Sequence, residues 1–274
     1  MAFMRILLLL MLISPVYLIG QYANFRSKSE VGFLLGGSNY FGDLNKFKPY
    51  YGVKPAAGLL YRFNFHNRAT FRLNAMYGSV AAADKDSKQS IQQNRNLSFQ
   101  STLYEIGSGI EFNYRPFKLG NPRYHATAYI LAEIAVFRMN PKTEYNGELV
   151  ELQPLGTEGQ GTSINSDSPY SLTQIALPIG AGFKVSLGKK ASFSFEYGLR
   201  KTFTDYLDDV GSDTYANHII LAQESGPIAS VLSNRSLDGS RFGKRGTSLT
   251  KDWYSFFGIM FSFRIGKEGI CFGT

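Results

Sequence analysis

Three histidines, one cysteine and one dense run of acids are the residues of this chain with chemistry to offer. His218 lies between Asp213 and Ser225, a set that in a hydrolase could orient, deprotonate and attack. A solvent-exposed loop histidine explains His218 equally well, and His66 and His125 sit among turn residues far from it. No catalytic residue is therefore expected. The stretch TDYLDDVGSD packs Asp205, Asp208, Asp209 and Asp213 into a single short segment. Carboxylates so dense could hold Ca²⁺, but the spacing matches no EF-hand loop. An acidic turn that orders its own loop is the expectation, with no metal and no cofactor assigned. Cys271 is the single cysteine, so no intrachain disulfide can form. No phosphate-binding glycine loop, zinc-type cluster or nucleic-acid stripe is present.

The elements that carry these residues read as strands. The segment ASFSFEYGLRKTF (191–203) alternates bulky apolar residues with Ser192, Ser194, Glu196, Gly198, Arg200 and Thr202. A period of two marks a strand with two unlike faces. Seven more segments share the pattern: 30–41, 52–65, 69–80, 102–114, 126–138, 174–187 and 252–264. Each is long enough for the roughly nine to eleven residues that a tilted strand needs to cross a bilayer.

Sorting the faces decides where the chain lives. One face collects Phe33, Leu35, Leu59, Leu73, Tyr77, Ile106, Ile110, Ile175, Phe183, Ile259 and their like. The other collects Gly, Ala and Ser, together with Glu30, Glu105, Glu111, Glu133 and Glu196 and the bases Lys54, Arg62, Arg72, Lys184, Arg200 and Arg264. The fifth strand is mixed: Ile130, Ile134 and Val136 belong outward and Glu133 inward, while Tyr129 and Phe137 blur the pattern. Small residues interleaved with nearly balanced charge suit a narrow lumen, and aliphatic and aromatic residues at alternate positions suit lipid. The expected fold is all-β, an eight-stranded antiparallel transmembrane barrel of the outer-membrane type, whose closure leaves no unpaired edge in hydrocarbon. Eight strands leave a lumen that side chains fill, so an open pore is not expected.

Connection lengths give the orientation. They alternate long (42–51, 81–101, 139–173, 204–251) with short or medium (66–68, 115–125, 188–190), as barrels with long outer loops and short periplasmic turns do. Phe63, Phe65, Phe71, Phe112, Tyr114, Phe193, Phe195, Phe261 and Phe263 adjoin the short turns and form an expected inner girdle. Both termini then lie in the periplasm. The N-terminal Arg5, the apolar run from Ile6 to Ile19 and Gly20 read as a secretory signal peptide over residues 1–20, leaving 21–274 as one barrel domain. In the last long loop, HIILAQESGPIASVL carries enough aliphatic residues to pack a short helix or hairpin over the barrel mouth.

Several segments together resemble the PorG-type family of Bacteroidota outer-membrane proteins of the type IX secretion system. They are GGSNYFGDLN (36–45), FRLNAMYG (71–78), LSFQSTLYEIGSGIEFNY (97–114), TDYLDDV (204–210) and KDWYSFFGI (251–259), in that order along the chain. The resemblance implies a non-enzymatic barrel. It would tie a periplasmic ring of a PorK/GldK-type lipoprotein and a PorN/GldN-type soluble partner to the outer membrane. The alternative is a general structural or adhesion barrel working through its outer loops. The tail after Arg264 departs from the usual barrel ending on a strand aromatic.

Charge points to the inner end. Arg26, Lys28, Arg68, Arg115, Lys118, Arg123, Lys189, Lys190 and Lys267 gather there against one acid, Glu268. Part of that excess is explained by anionic headgroups, and outer-membrane lipid and lipopolysaccharide are the expected surroundings. The stretch RPFKLGNPRYHA exceeds a tight turn and mixes bases with Phe117, Leu119 and Tyr124. Apolar anchors rimmed by charge suit a protein interface. The expected docking surface is thus Arg115, Phe117, Lys118, Leu119, Arg123 and Tyr124, helped by Lys189 and Lys190.

Overall fold

The structure, a computed structural model, describes residues 28–46, 48–241 and 243–265. The signal peptide, Arg26, Lys267, Glu268, Cys271 and the tail lie outside these residues. Eight long strands follow the period-two segments: β1 (Lys28–Phe41), β2 (Lys54–Asn64), β3 (Ala69–Ala83), β4 (Ser98–Asn113), β5 (Ala126–Arg138), β8 (Thr173–Ser186), β9 (Ala191–Thr202) and β10 (Trp253–Ile265). Between β5 and β8 the long loop makes a small hairpin of its own, β6 (Pro141–Tyr145) and β7 (Glu148–Glu151). Asn146 and Gly147 turn that hairpin, both in the left-handed region that a tight two-residue turn demands.

Each long strand pairs antiparallel with its sequence neighbours, and β1 pairs with β10 from Ser29 opposite Ile265 to Phe41 opposite Trp253. Together with the β3–β4 pairing this closes the ring, and no long strand keeps a free edge. The result is an eight-stranded antiparallel barrel. Among the described residues no helix is long and apolar enough to cross a membrane.

Polarity is inverted relative to a water-soluble barrel. Ile106 is 65% exposed while its neighbour Glu105 is 1% exposed, and the same contrast recurs along β3, β4 and β5. Leu35, Leu59, Ile130, Ile134, Ile179 and Phe183 all stand on the outer wall. Phe63, Phe65, Phe71, Phe112, Tyr114, Phe195 and Phe263 surround the short-turn end. Tyr129 and Phe137, ambiguous by pattern, point inward and are buried.

The long loops are structured. A 3-10 turn over Asp84–Asp86 and helix α1 (Ser90–Arg95) follow β3. In the last loop lie α2 (His218–Glu224), whose N-terminus is capped by the Asn217 side chain accepting from the Ile219 N–H, and α3 (Pro227–Ser233). Leu221, Ala229 and Leu232 are buried beneath them, so this aliphatic stretch folds back on the barrel mouth.

Candidate functional site

The lumen is filled by ion pairs. Register sets Arg62 of β2 directly opposite Arg72 of β3, an unfavourable like-charge pair on its own. Glu111 of β4 relieves it, accepting from Arg62 Nε at 3.0 Å and from Arg72 Nη1 at 3.4 Å, with Lys184 of β8 on its other oxygen. Arg72 also meets Glu133 of β5 at 2.6 Å and Glu196 of β9 at 2.7 Å, so four strands converge on one guanidinium. Toward the long-loop end, Arg200 pairs with Glu105 at 3.3 Å, and Tyr254 donates to the same carboxylate at 2.7 Å. The Tyr129 hydroxyl donates to Glu196 at 2.8 Å, and the Asn74 amide to Glu133 at 2.7 Å. All of these side chains are buried. Charges in low dielectric need partners this complete. Glycine makes the space: a Cβ at Gly198 would collide with the Arg200 guanidinium, and one at Gly182 with the Tyr129 ring.

Two expected members sit at its ends. Glu30 lies at the short-turn end, opposite Arg62 of β2 in the register, and accepts hydrogen bonds from Asn64 at 2.6 Å and Ser192 at 3.2 Å. Lys54 begins β2 at the opposite rim, where it lines an outward-opening cavity of about 930 Å³ with Lys85, Lys142 and Arg235. Its inward parity is right, but at the strand's first residue the lumen has already widened into the mouth, and no carboxylate pairs with it among the described residues.

Above the lumen the long loops form a cap. Its apolar part joins Tyr40, Leu44, Leu97, Phe99, Leu207, Val210 and Leu232 to the barrel interior. Its polar part is organised by two buried arginines. Arg95 binds both oxygens of Asp84, at 2.6 and 2.7 Å, and donates to the carbonyls of Asp43 and Arg245. Arg245 pairs with Glu158, lies 3.7 Å from Asp209 and donates to the Asp209 carbonyl at 2.9 Å and the Ser233 carbonyl at 3.3 Å. All four long loops are thus tied together.

The acidic run belongs to this cap. Asp208 accepts from Tyr40 at 2.5 Å, and Asp252 lies 3.1 Å from the same hydroxyl while accepting the Leu207 N–H at 3.0 Å. Asp209 accepts from Thr157 and from Tyr170, the latter at 2.7 Å. Burial pushes the Asp209 carboxyl up to about 6, and Asp205 likewise to about 6 despite Lys251 beside it. Burial also raises Asp208 and Asp252 well above the usual carboxylate range. Asp213 is half-buried, bound by Lys244 at 3.1 Å and the Ser248 N–H at 3.0 Å. These carboxylates therefore serve the protein's own donors. Among the described residues no group of three or more His, Cys, Asp or Glu is arranged to hold a metal. His218 contacts Arg241, while Asp213 is engaged by Lys244, so the possible hydrolase set is not assembled.

The turn between β4 and β5 corrects part of the expected docking surface. Phe117 and Leu119 are both 7% exposed and close the lumen from below. The Lys184 ammonium lies 4.7 Å from the centroid of the Phe117 ring, and the Leu119 carbonyl accepts from Arg264 at 3.4 Å. Hydrogen bonds from Phe117 to the Asn67 carbonyl and from Gly120 to the Ser186 hydroxyl fold the turn under the barrel. The apolar residues of this turn are thus spent inside. Arg115, Lys118, Arg123, Lys189 and Lys190 remain exposed beside Arg68, with Tyr124 half-buried under the Arg123 guanidinium at 5.6 Å.

Residues 5–274 match the sequence pattern of a family described as a domain of unknown function, DUF6089. The chain belongs to this family. A search of curated proteins returns no match. Among solved structures, the DUF6089 chain is similar to Ail, the attachment invasion locus protein of Yersinia pestis, in complex with the heparin analogue sucrose octasulfate. The two share 10% identity over 88% of this chain and 100% of that one, with a TM-score of 0.42. It is also similar to the N-terminal β-barrel domain of Pseudomonas aeruginosa OprF, at 10% identity, 88% and 100% coverage and a TM-score of 0.37. Neisserial surface protein A matches at 8% identity, 87% and 97% coverage and a TM-score of 0.41. The closed strand pairing and inverted polarity, rather than these distant likenesses, define the DUF6089 chain as an outer-membrane-type barrel.

Proposed function

We propose that this protein is a non-enzymatic outer-membrane subunit of the type IX secretion machinery. It would hold the periplasmic ring, formed by a PorK/GldK-type lipoprotein and a PorN/GldN-type partner, against the membrane. The sequence resemblance to PorG-type proteins motivates the reading. The observation that carries the docking site is the inner rim, where Arg68, Arg115, Lys118, Arg123, Lys189 and Lys190 are exposed and the turns bearing them contain no Asp or Glu. With Phe117 and Leu119 turned inward, recognition rests on charge rather than on apolar anchors, which favours fast, salt-sensitive association with an acidic partner surface. Replacing Arg115, Lys118 and Arg123 by Glu should release the barrel from the ring lipoprotein in pull-downs, with its heat-modifiable gel shift intact. Undiminished co-purification of that variant would sink this docking site.

An adhesion barrel is the second reading, and the outward cavity, with Lys54, Lys85, Lys142 and Arg235 on its walls beside Asp86 and Glu144, favours it. Ring anchoring tolerates Lys85→Ala with Arg235→Ala. Loss of secretion-independent surface binding in that double variant would favour adhesion instead.

A further inference from the structure

One groove on the outside of the barrel lies apart from lumen, cap and inner rim. Its floor is apolar: Phe41 of β1, Trp253 of β10 and Tyr197 and Leu199 of β9, all on the lipid-facing parity at the long-loop end of their strands. The groove holds about 560 Å³. Above it stand Lys46, which is exposed, and Lys251, whose side chain is 45% exposed and lies 3.5 Å from Asp205. Lys201 adds a third ammonium, 5.9 Å from the centroid of the Trp253 ring. Asp43 also lines the groove, but it is buried and its carboxylate accepts the Thr247 N–H at 2.9 Å, so the opening itself is basic.

The first long loop shapes the other wall. After Lys46 and Pro49 it brings Tyr50 onto the outside of the barrel. Tyr50 lies against the wall, its ring 5.6 Å from Phe257 and 6.5 Å from Tyr197, edge-on to both. Its backbone sits at φ +63°, a left-handed conformation rare for a bulky residue, and the residue remains 63% exposed. A large aromatic held outward in this way fits the boundary between headgroups and acyl chains.

The geometry points to a specific site for one phosphate-bearing lipid of the membrane leaflet on the long-loop side. An acyl chain lies along Phe41, Leu199 and Trp253, and the phosphate is met by Lys46 and Lys251. Charge complementarity selects the occupant: an apolar trough in a bilayer accepts any acyl chain, whereas ammonium groups at its upper edge discriminate for an anionic headgroup. The inference needs only that the barrel sits in a membrane, so it stands or falls independently of the secretion ring.

Trp253 is the only tryptophan in the chain, so its fluorescence reports on this groove alone. The full-length barrel is reconstituted in phosphatidylcholine nanodiscs containing either brominated phosphatidic acid or brominated phosphatidylcholine at equal mole fraction. Phosphatidic acid should quench Trp253 with a preference on the order of tenfold, the scale that two or three lysines supply near an anionic headgroup. Lys46→Gln with Lys251→Gln should abolish the preference and leave the heat-modifiable shift unchanged. Equal quenching by the two lipids in the unmodified protein, or a preference that survives the double substitution, overturns the site.

Discussion

Arg72 reaches its carboxylates from strands held side by side in one hydrogen-bonded ladder, whereas Arg245 reaches across loops that have no common ladder. Both guanidiniums are buried and both meet more than one acid. The lumen network joins β2, β3, β4, β5, β8 and β9, and every member sits on an alternate position of a hydrogen-bonded strand. In the cap, Arg245 is 87 residues from Glu158 and its carbonyl is bonded by Arg95 from 150 residues away. The lumen is therefore an ion-pair network imposed by a pre-set scaffold, and the cap is a scaffold assembled by its ion pairs. Losing a lumen charge should strain the barrel as a whole, while losing a cap charge should free the loops and leave the barrel closed.

The sharpest test of that contrast is Arg72→Ala, which strands Glu133 and Glu196 in a buried site. Removing one partner of a buried charge network costs about 3–5 kcal/mol. The heat needed to abolish the folded-form gel shift should fall clearly. A smaller, local effect is expected from Arg245→Ala, because Glu158 keeps the Gly211 and Ser212 N–H donors and its contact with Tyr206. Leaving such a group under-satisfied costs about 1–3 kcal/mol. Hydrogen exchange should quicken at 157–160, 207–213 and 229–234, with the barrel strands and the gel shift unaffected. A global loss of the barrel in Arg245→Ala would erase the distinction.

Acidity gives the mildest test. Asp205 and Asp209 have folded-state values raised to about 6, above those of an unfolded chain, so each contributes stability in the protonated form. That contribution is full below about pH 4 and is lost as pH rises through about 6. Protection of the cap amides should therefore be greater at pH 5 than at pH 7.5. Asp209→Asn, which keeps one oxygen as an acceptor and puts an amide NH2 in place of the other, should flatten part of the dependence. Unchanged pH sensitivity in that variant would remove Asp209 as its source.

The same contrast explains what could be read from the sequence. Period-two alternation located all eight barrel strands to within a few residues, because each face has one environment along its length. It also singled out Arg62, Arg72, Glu105, Glu111, Glu133, Lys184, Glu196 and Arg200, which the structure brings together in the lumen. Strict parity adds Tyr129 and Phe137, bulky residues on the face that also carries Glu133, which is why they blur the pattern in the sequence. Arg95 and Arg245 left no such trace. Their partners come from other loops, and no local period ties residue 95 to residue 245. Phe117 and Leu119 were legible as apolar residues in a long turn, but a turn has no alternation to say which way they face. Only the fold under the barrel, with the Lys184 ammonium above the Phe117 ring, turns them inward.

The seam between β1 and β10 bears on how the molecule is made. It joins the first and last strands of the barrel, residue 29 opposite residue 265, so the ring cannot shut until synthesis has delivered the last strand. Until then the growing sheet presents two bare edges, each a template for a stray strand. Closing over so long a stretch of chain is also entropically the most demanding of the pairings and sets a slow final step. A chain cut short before Trp253 would retain seven adjacent strands and most of the lumen charges, yet it would remain an open sheet. Biogenesis must therefore shield both edges at once, and the interval before the seam zips is when this protein is most exposed to misassembly.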